Sequence, residues 1–162
     1  MSPTGSPESP TGRPEGEYRS AQREGLPAVA TIDAGDRFEA DMPPIATTQL
    51  VKYAGASDDY NRIHYDLPYA TDAGLGGVIA HGMLTMGLMA RALLDWSGPR
   101  AFTTHIDGRF TAPVRPGDTV RVTGTVTGKT MRDDGADVDC ELVATVAGKI
   151  VAQGKATVRF PA

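Results

Sequence analysis

Gly82-Met83-Leu84-Thr85-Met86-Gly87-Leu88-Met89-Ala90-Arg91-Ala92-Leu93-Leu94-Asp95-Trp96 is the stretch on which the fold turns. Wound as a helix, it carries apolar side chains round most of its circumference, and Arg91 and Asp95 are nearly its only charges. A helix apolar on most sides belongs inside a protein. Ser97-Gly98-Pro99 stops it. Whatever surrounds it must therefore supply a large apolar cover.

That cover lies downstream. Ala101–Phe110 alternates loosely, and Pro113 to Asp118 is a turn cluster. Val120–Thr127 and Val138–Val146 both alternate with period two, and Ile150–Phe160 reads as a last strand. Upstream, a short strand is predicted around Arg37–Ala40. A short helix is predicted over 47–56, capped by Thr47 or Thr48, with Leu50, Val51 and Ala54 on one face. Asp66 to Asp72 fits a second helical turn. The order is one strand, helices, then about four long antiparallel strands, an α+β class. A sheet curled around the single central helix satisfies the burial requirement.

The rest of the chain sets the boundaries. Its 162 residues suit one domain. Residues 1–25 hold four Pro, four Gly and four Ser with almost no large apolar side chain. They read as a disordered tail, dispensable or a docking arm, and residues 26–162 as the folded domain. No apolar stretch is long enough for a membrane span, and no basic start followed by an apolar run suggests a secretory signal. A cytoplasmic protein without a membrane partner is expected. The single Cys140 excludes an internal disulfide and any Cys-based zinc site. With three His besides, neither metal nor cofactor is expected. The net charge of −4 comes without a basic stripe, which argues against nucleic acid. A small-molecule substrate remains.

Two segments carry the chemistry. Ser57-Asp58-Asp59-Tyr60-Asn61-Arg62-Ile63-His64 is polar and follows a helix. Its Asp59 and His64 are five apart, about 140° round a helix and on opposite faces of a strand. Only a bent loop aims both at one spot, and Asp and Asn favour such bends. The pair is either a general acid/base pair or part of an Asx-rich turn with a solvated histidine. In Gly74-Leu75-Gly76-Gly77-Val78-Ile79-Ala80-His81-Gly82, the glycines do not follow a strand as a phosphate loop requires, and they read as a turn. Gly82 opens the buried helix, so its N–H is an unpaired donor able to hold a developing oxyanion. Alternatively Gly82 merely permits close packing. His81 reads as a helix cap, and His105 as a sheet-surface residue.

Together these segments resemble the MaoC-like (R)-specific hydratase/dehydratase family, whose fold is the hotdog. The family loop, Ser/Thr-Gly-Asp-x-Asn-Pro-Ile/Leu-His, is similar to Ser57 through His64, with Asp58 in place of Gly and Arg62 in place of Pro. The family's helix entry is similar to Ile79-Ala80-His81-Gly82-Met83-Leu84, and Arg109 to Asp118 resembles its following strand and turn. Ile79 to Gly87 looks closest to the B subunit of mycobacterial (3R)-hydroxyacyl carrier-protein dehydratase. The resemblance implies a hydro-lyase that interconverts (3R)-hydroxyacyl and trans-2-enoyl thioesters of CoA or acyl carrier protein. It assigns Asp59 and His64 as the dyad, Asn61 to loop positioning, and the Gly82 N–H to the thioester oxyanion. Substrate contacts are expected from His81, Met83 and Met86. Arg62, where the family has Pro, is expected at the mouth of the site, either meeting the phosphate of a CoA or phosphopantetheine arm or standing as a solvated charge. Met83, Met86, Leu88 and Met89 are acyl-tunnel candidates, or plain core. A homodimer or a heterodimer with a second hotdog subunit is implied. Two other readings compete: a subunit that only supports an active partner, and a thioesterase with a differently placed carboxylate. The Asp/His pair argues against both, and a mixed reading stays open: an active subunit that works only in a heterodimer.

Overall fold

The computed structural model describes residues 19–20 and 28–162. Helical and extended segments separate along the chain much as the patterning predicts. β1 (Arg19–Ser20) and β2 (Arg37–Asp41) are followed by α1 (Thr47–Ser57), a 3-10 turn at Arg62–His64, α2 (Leu67–Asp72) and α3 (Gly82–Ser97). Then come β3 (Phe102–Ile106), β4 (Arg109–Phe110), β5 (Val120–Arg132), β6 (Gly135–Val146) and β7 (Lys149–Pro161). The expected four long strands resolve into three, because Asp107 and Gly108 break the predicted Ala101–Phe110 strand into two short ones. The tail assigned to residues 1–25 lies outside the described residues, apart from Arg19 and Ser20. These two pair with Asp41 and Ala40.

All strand pairs are antiparallel, in the order β1-β2-β5-β6-β7-β3, with β4 also on β7. The sheet wraps α3 as the hotdog fold requires. Leu84, Leu88, Met89, Ala92 and Leu93 of α3 join Val122, Val138, Leu142, Ala152 and Val158 in the core. Each fully buried Leu contributes roughly 1.5–3 kcal/mol. At the far end of α3, Trp96 stacks on Phe38 with centroids 4.6 Å apart. Phe38 in turn lies over Gly124, its register partner, where a Cβ would stand 2.0 Å from the ring.

Three local expectations need correction. Ala46, not Thr47 or Thr48, is the N-cap of α1, and no side chain caps it. Val51 faces solvent while Leu50 and Ala54 are buried, so the inner face of α1 is narrower than predicted. α3 is not covered on every side: Met83 and Leu94 are 55% and 41% exposed, and Gly87 and Arg91 share their face. The sheet of one chain reaches only part of the helix circumference. Leu88 and Met89, by contrast, are plain core.

Candidate active site

The two polar segments meet at the start of α3. Asp58 ends α1 in the left-handed region, with φ 56°, and points into solvent. That turn redirects the chain so that Asp59 and His64 face one another. Asn61 holds the bend from both sides: its N–H donates to Asp59 Oδ1 at 3.2 Å, and its Oδ1 accepts from the Ile63 N–H at 3.2 Å. The 3-10 turn that results carries His64 inward.

His64 is buried, 6% exposed, which sets aside the solvated-histidine reading. Its Nδ1 lies 2.8 Å from the Ile79 carbonyl. A carbonyl only accepts, so Nδ1 carries a proton, and in the neutral ring the lone pair is the one on Nε2. That Nε2 is 3.8 Å from Asp59 Oδ2, beyond direct hydrogen-bond range. A water or hydroxyl between the two would touch both. Asp59 is half-exposed, and Tyr60 and Tyr65 beside it are open to solvent, so this face is reachable from outside.

The second segment is strung between the 3-10 turn and the strand entry. Ile79 N–H donates to the Ile63 carbonyl at 3.1 Å, and Ala80 N–H to the Val114 carbonyl at 2.7 Å. Upstream, Gly74, Gly76 and Gly77 all have positive φ, confirming a turn. Arg115 fastens it by donating to the Leu75 carbonyl at 2.6 Å. Gly82 then opens α3, and among the described residues no hydrogen bond satisfies its N–H. The close-packing reading of Gly82 has support of its own, because a Cβ there would stand 2.9 Å from the Phe110 ring.

His81 occupies the N-cap position of α3, yet its side chain makes no capping bond. It is 1% exposed and turned toward the dyad loop. Its ring stacks on that of His64, centroids 3.7 Å apart and planes 22° apart, and Tyr53 of α1 lies tilted by 53° with its centroid 4.9 Å away. Its Nε2 donates to the Asp59 carbonyl at 3.2 Å, while Nδ1 is buried without a partner. Burial, with the neighbouring His64, holds its pKa below the ordinary 6.5, so the ring is neutral at pH 7.

Asp59, His64 and His81 bring ligand-type atoms within 4.8 Å of one another. One nitrogen of each histidine, however, is bound to a backbone carbonyl. That leaves one nitrogen on each ring, His64 Nε2 and His81 Nδ1, without a backbone partner.

The predicted substrate contacts divide. Met83 is exposed at the mouth of α3, and Met86 is half-buried with its Cε 2.9 Å from where a Cβ of Gly108 would be. Arg62 is already engaged: Nη2 donates to Asp66 Oδ2 at 2.6 Å, and the guanidinium lies 4.4 Å over the Tyr69 ring. It braces the 3-10 turn against α2. His105 is exposed on β3, as expected. Sequence reasoning missed the Ile79 carbonyl, Tyr53, Phe110 and Arg115. A groove of about 610 Å³ bounded by Asp107, Arg109, Glu141 and Lys155 lies elsewhere, across β6 and β7, and shares no residue with this site.

Comparison with known proteins agrees with the fold. The MaoC like domain family matches residues 29–148. An (R)-specific enoyl-CoA hydratase from Rhodospirillum rubrum is 40% identical over 119 residues, 73% of this chain and 81% of that protein. Among solved structures, the R-hydratase PhaJ1 from Pseudomonas aeruginosa superposes with a TM-score of 0.75 at 31% identity, covering 82% of this chain and 84% of that one. The HadBC (3R-hydroxyacyl-ACP dehydratase) complex from Mycobacterium tuberculosis gives a TM-score of 0.64 at 18% identity, over 79% of this chain and 98% of that chain. That last likeness is one of fold alone. The family match spans most of the chain and takes in both polar segments, the central helix and most of the strands that cover it; the chain belongs to the MaoC-like domain family.

Proposed function

We propose that this protein is a hydro-lyase that interconverts (3R)-hydroxyacyl and trans-2-enoyl thioesters, carried on CoA or acyl carrier protein. The observation that carries the reading is the bare His64 Nε2, 3.8 Å from the Asp59 carboxylate and beside the free N-terminus of α3. The hydratase from R. rubrum, at 40% identity, supports the thioester substrate class.

In the hydration direction a water sits between Asp59 and His64. The dyad takes one proton from it as its oxygen bonds to C3 of the enoyl chain. Electron density moves to the thioester carbonyl oxygen, where the Gly82 N–H and the dipole of α3 stabilise it. The dyad returns a proton to C2. Dehydration is the reverse: C2 loses a proton, and the C3 hydroxyl leaves as water with a proton from the dyad. Asn61 keeps Asp59 aimed, and the Ile79 carbonyl fixes the His64 tautomer. Met83 and Met86 stand at the start of the acyl path.

The exposed stripe of α3, where Gly87 has open space beyond it, and the free edge of β3 favour a working unit of two hotdog chains. The second chain is another copy or a related subunit, and the dyad makes this chain the catalytic member.

Crotonyl-CoA and a longer enoyl-CoA, followed by loss of enoyl absorbance, test the reading on protein whose mass is checked by sedimentation. Hydration to the (3R) product by a dimer is expected. Asp59→Asn and His64→Gln should each lower kcat by about 10²–10⁴. Near-normal turnover in either variant, or activity confined to a monomer, would overturn the corresponding assignment.

A further inference from the structure

We infer that His81 is a positioning residue that locks the two members of the dyad to each other; the inference rests on the hydro-lyase reading of the same site. Two contacts make the lock. Through its Nε2–H, His81 holds the Asp59 main-chain carbonyl at 3.2 Å. Through its ring face, it backs His64 at 3.7 Å between centroids. Asp59 and His64 lie on opposite sides of the Asn61 bend, and His81 touches both while sitting one residue before Gly82. A shift of its ring therefore moves the acid/base pair and the oxyanion donor together.

The unpartnered Nδ1 is what separates this role from ordinary packing. His81 is 1% exposed, and Nδ1 has no hydrogen-bond partner. An orphaned buried polar atom destabilises a protein, and an apolar ring of similar size would avoid it. Tyr53, tilted with its centroid 4.9 Å from the ring, would pack equally well against phenylalanine. Stability alone favours Phe at this position. A histidine is explained by the one thing Phe cannot supply, the donor to Asp59.

Stability and activity should accordingly move apart in variants. His81→Phe keeps the stack and removes both the donor and the orphan. Its thermal midpoint should equal or exceed that of the parent while kcat falls roughly 10- to 100-fold, the penalty for displacing a reacting group by about an ångström. KM should change by less than about threefold, since no substrate contact is lost. His81→Gln can place an amide N–H where Nε2–H stood, and should recover kcat to within roughly fivefold of the parent. His81→Asn, which is too short, should not. If His81→Phe is insoluble, the Gln and Asn pair carries the same comparison. A kcat in His81→Phe within twofold of the parent overturns the inference, as does equal activity in Gln and Asn. So does a loss matched by a fall in thermal midpoint, because that is packing. Failure of the parent reading looks different: the unsubstituted protein itself would not hydrate either enoyl-CoA.

Discussion

Gly82 brings a packing constraint and a chemical one to the same backbone atom. Adding a Cβ would push the Phe110 ring, 2.9 Å away, off the start of α3. Alanine is the better helix former by up to about 1 kcal/mol, which offsets part of the crowding. Gly82→Ala should therefore fold with a nearly unchanged thermal midpoint and yet lose at least about tenfold in kcat. The double variant Gly82→Ala/Phe110→Ala should regain part of that loss, a non-additivity that a coupled pair shows and independent sites do not. Steady-state kinetics on the parent, Gly82→Ala, Phe110→Ala and the double variant decide it, and purely additive effects would sink the coupling. The dyad was legible in sequence because Asp59, Asn61 and His64 are residue types whose spacing demands a bend. Their partners were not. The Ile79 carbonyl that fixes His64 is a backbone group, and every residue has one. Arg62, expected to meet substrate phosphate, is occupied by Asp66 and Tyr69, neighbours whose turn geometry alone brings them within reach.

Among the elements, the β6–β7 hairpin has a departure from its own turn chemistry. Val146 pairs with Lys149, leaving Ala147 and Gly148 as a two-residue loop with φ 48° and 78°. Hairpins of this kind favour Asn-Gly, because both central residues need positive φ. Ala147→Asn should stabilise the protein by about 1 kcal/mol, the order of the left-handed penalty that alanine bears. Thermal or urea denaturation measures it, and no gain would mean the turn relaxes to a different type. The helix and the three long strands were readable because periods of 3.6 and 2 are strong over such lengths. The break at Asp107–Gly108 was not. Its cause is remote: Gly154 of β7 lets the chain cross so closely that a Cβ there would stand 2.0 Å from the Asp107 carbonyl oxygen. Likewise, the glycine inside β5 at position 124 makes sense only once Phe38 is seen lying over it.

For the molecule as a whole, the buried His81 and Asp137 shape the response to acid, and the lowered carboxyl pKa values of Asp41, Asp66 and Asp107 add to its lower range. His81 has its pKa lowered by burial, so the unfolded chain takes up a proton that the folded chain resists. Its contribution to stability is complete above pH 6.5 and declines as the pH falls through that value. Asp137, held by Arg159 and Arg132, titrates at about 2 rather than 3.8. The stability it confers is present above pH 3.8 and is lost on the way down to about 2. Thermal midpoints across the pH range should thus fall in two steps. His81→Phe should flatten the upper step and Asp137→Asn should reduce the lower one; a variant whose profile keeps its full step would remove that residue as a cause.

The position of α3 in the chain also has a consequence for how the protein is made. The ribosome releases Gly82–Ser97 before any of the strands β3 to β7 that cover it. The last of these ends at Pro161, roughly sixty residues later. At about 5–20 residues per second, the most apolar helix of the protein waits several seconds for its sheet. Through that interval the helix presents the kind of transiently exposed apolar surface that makes a nascent chain prone to aggregate.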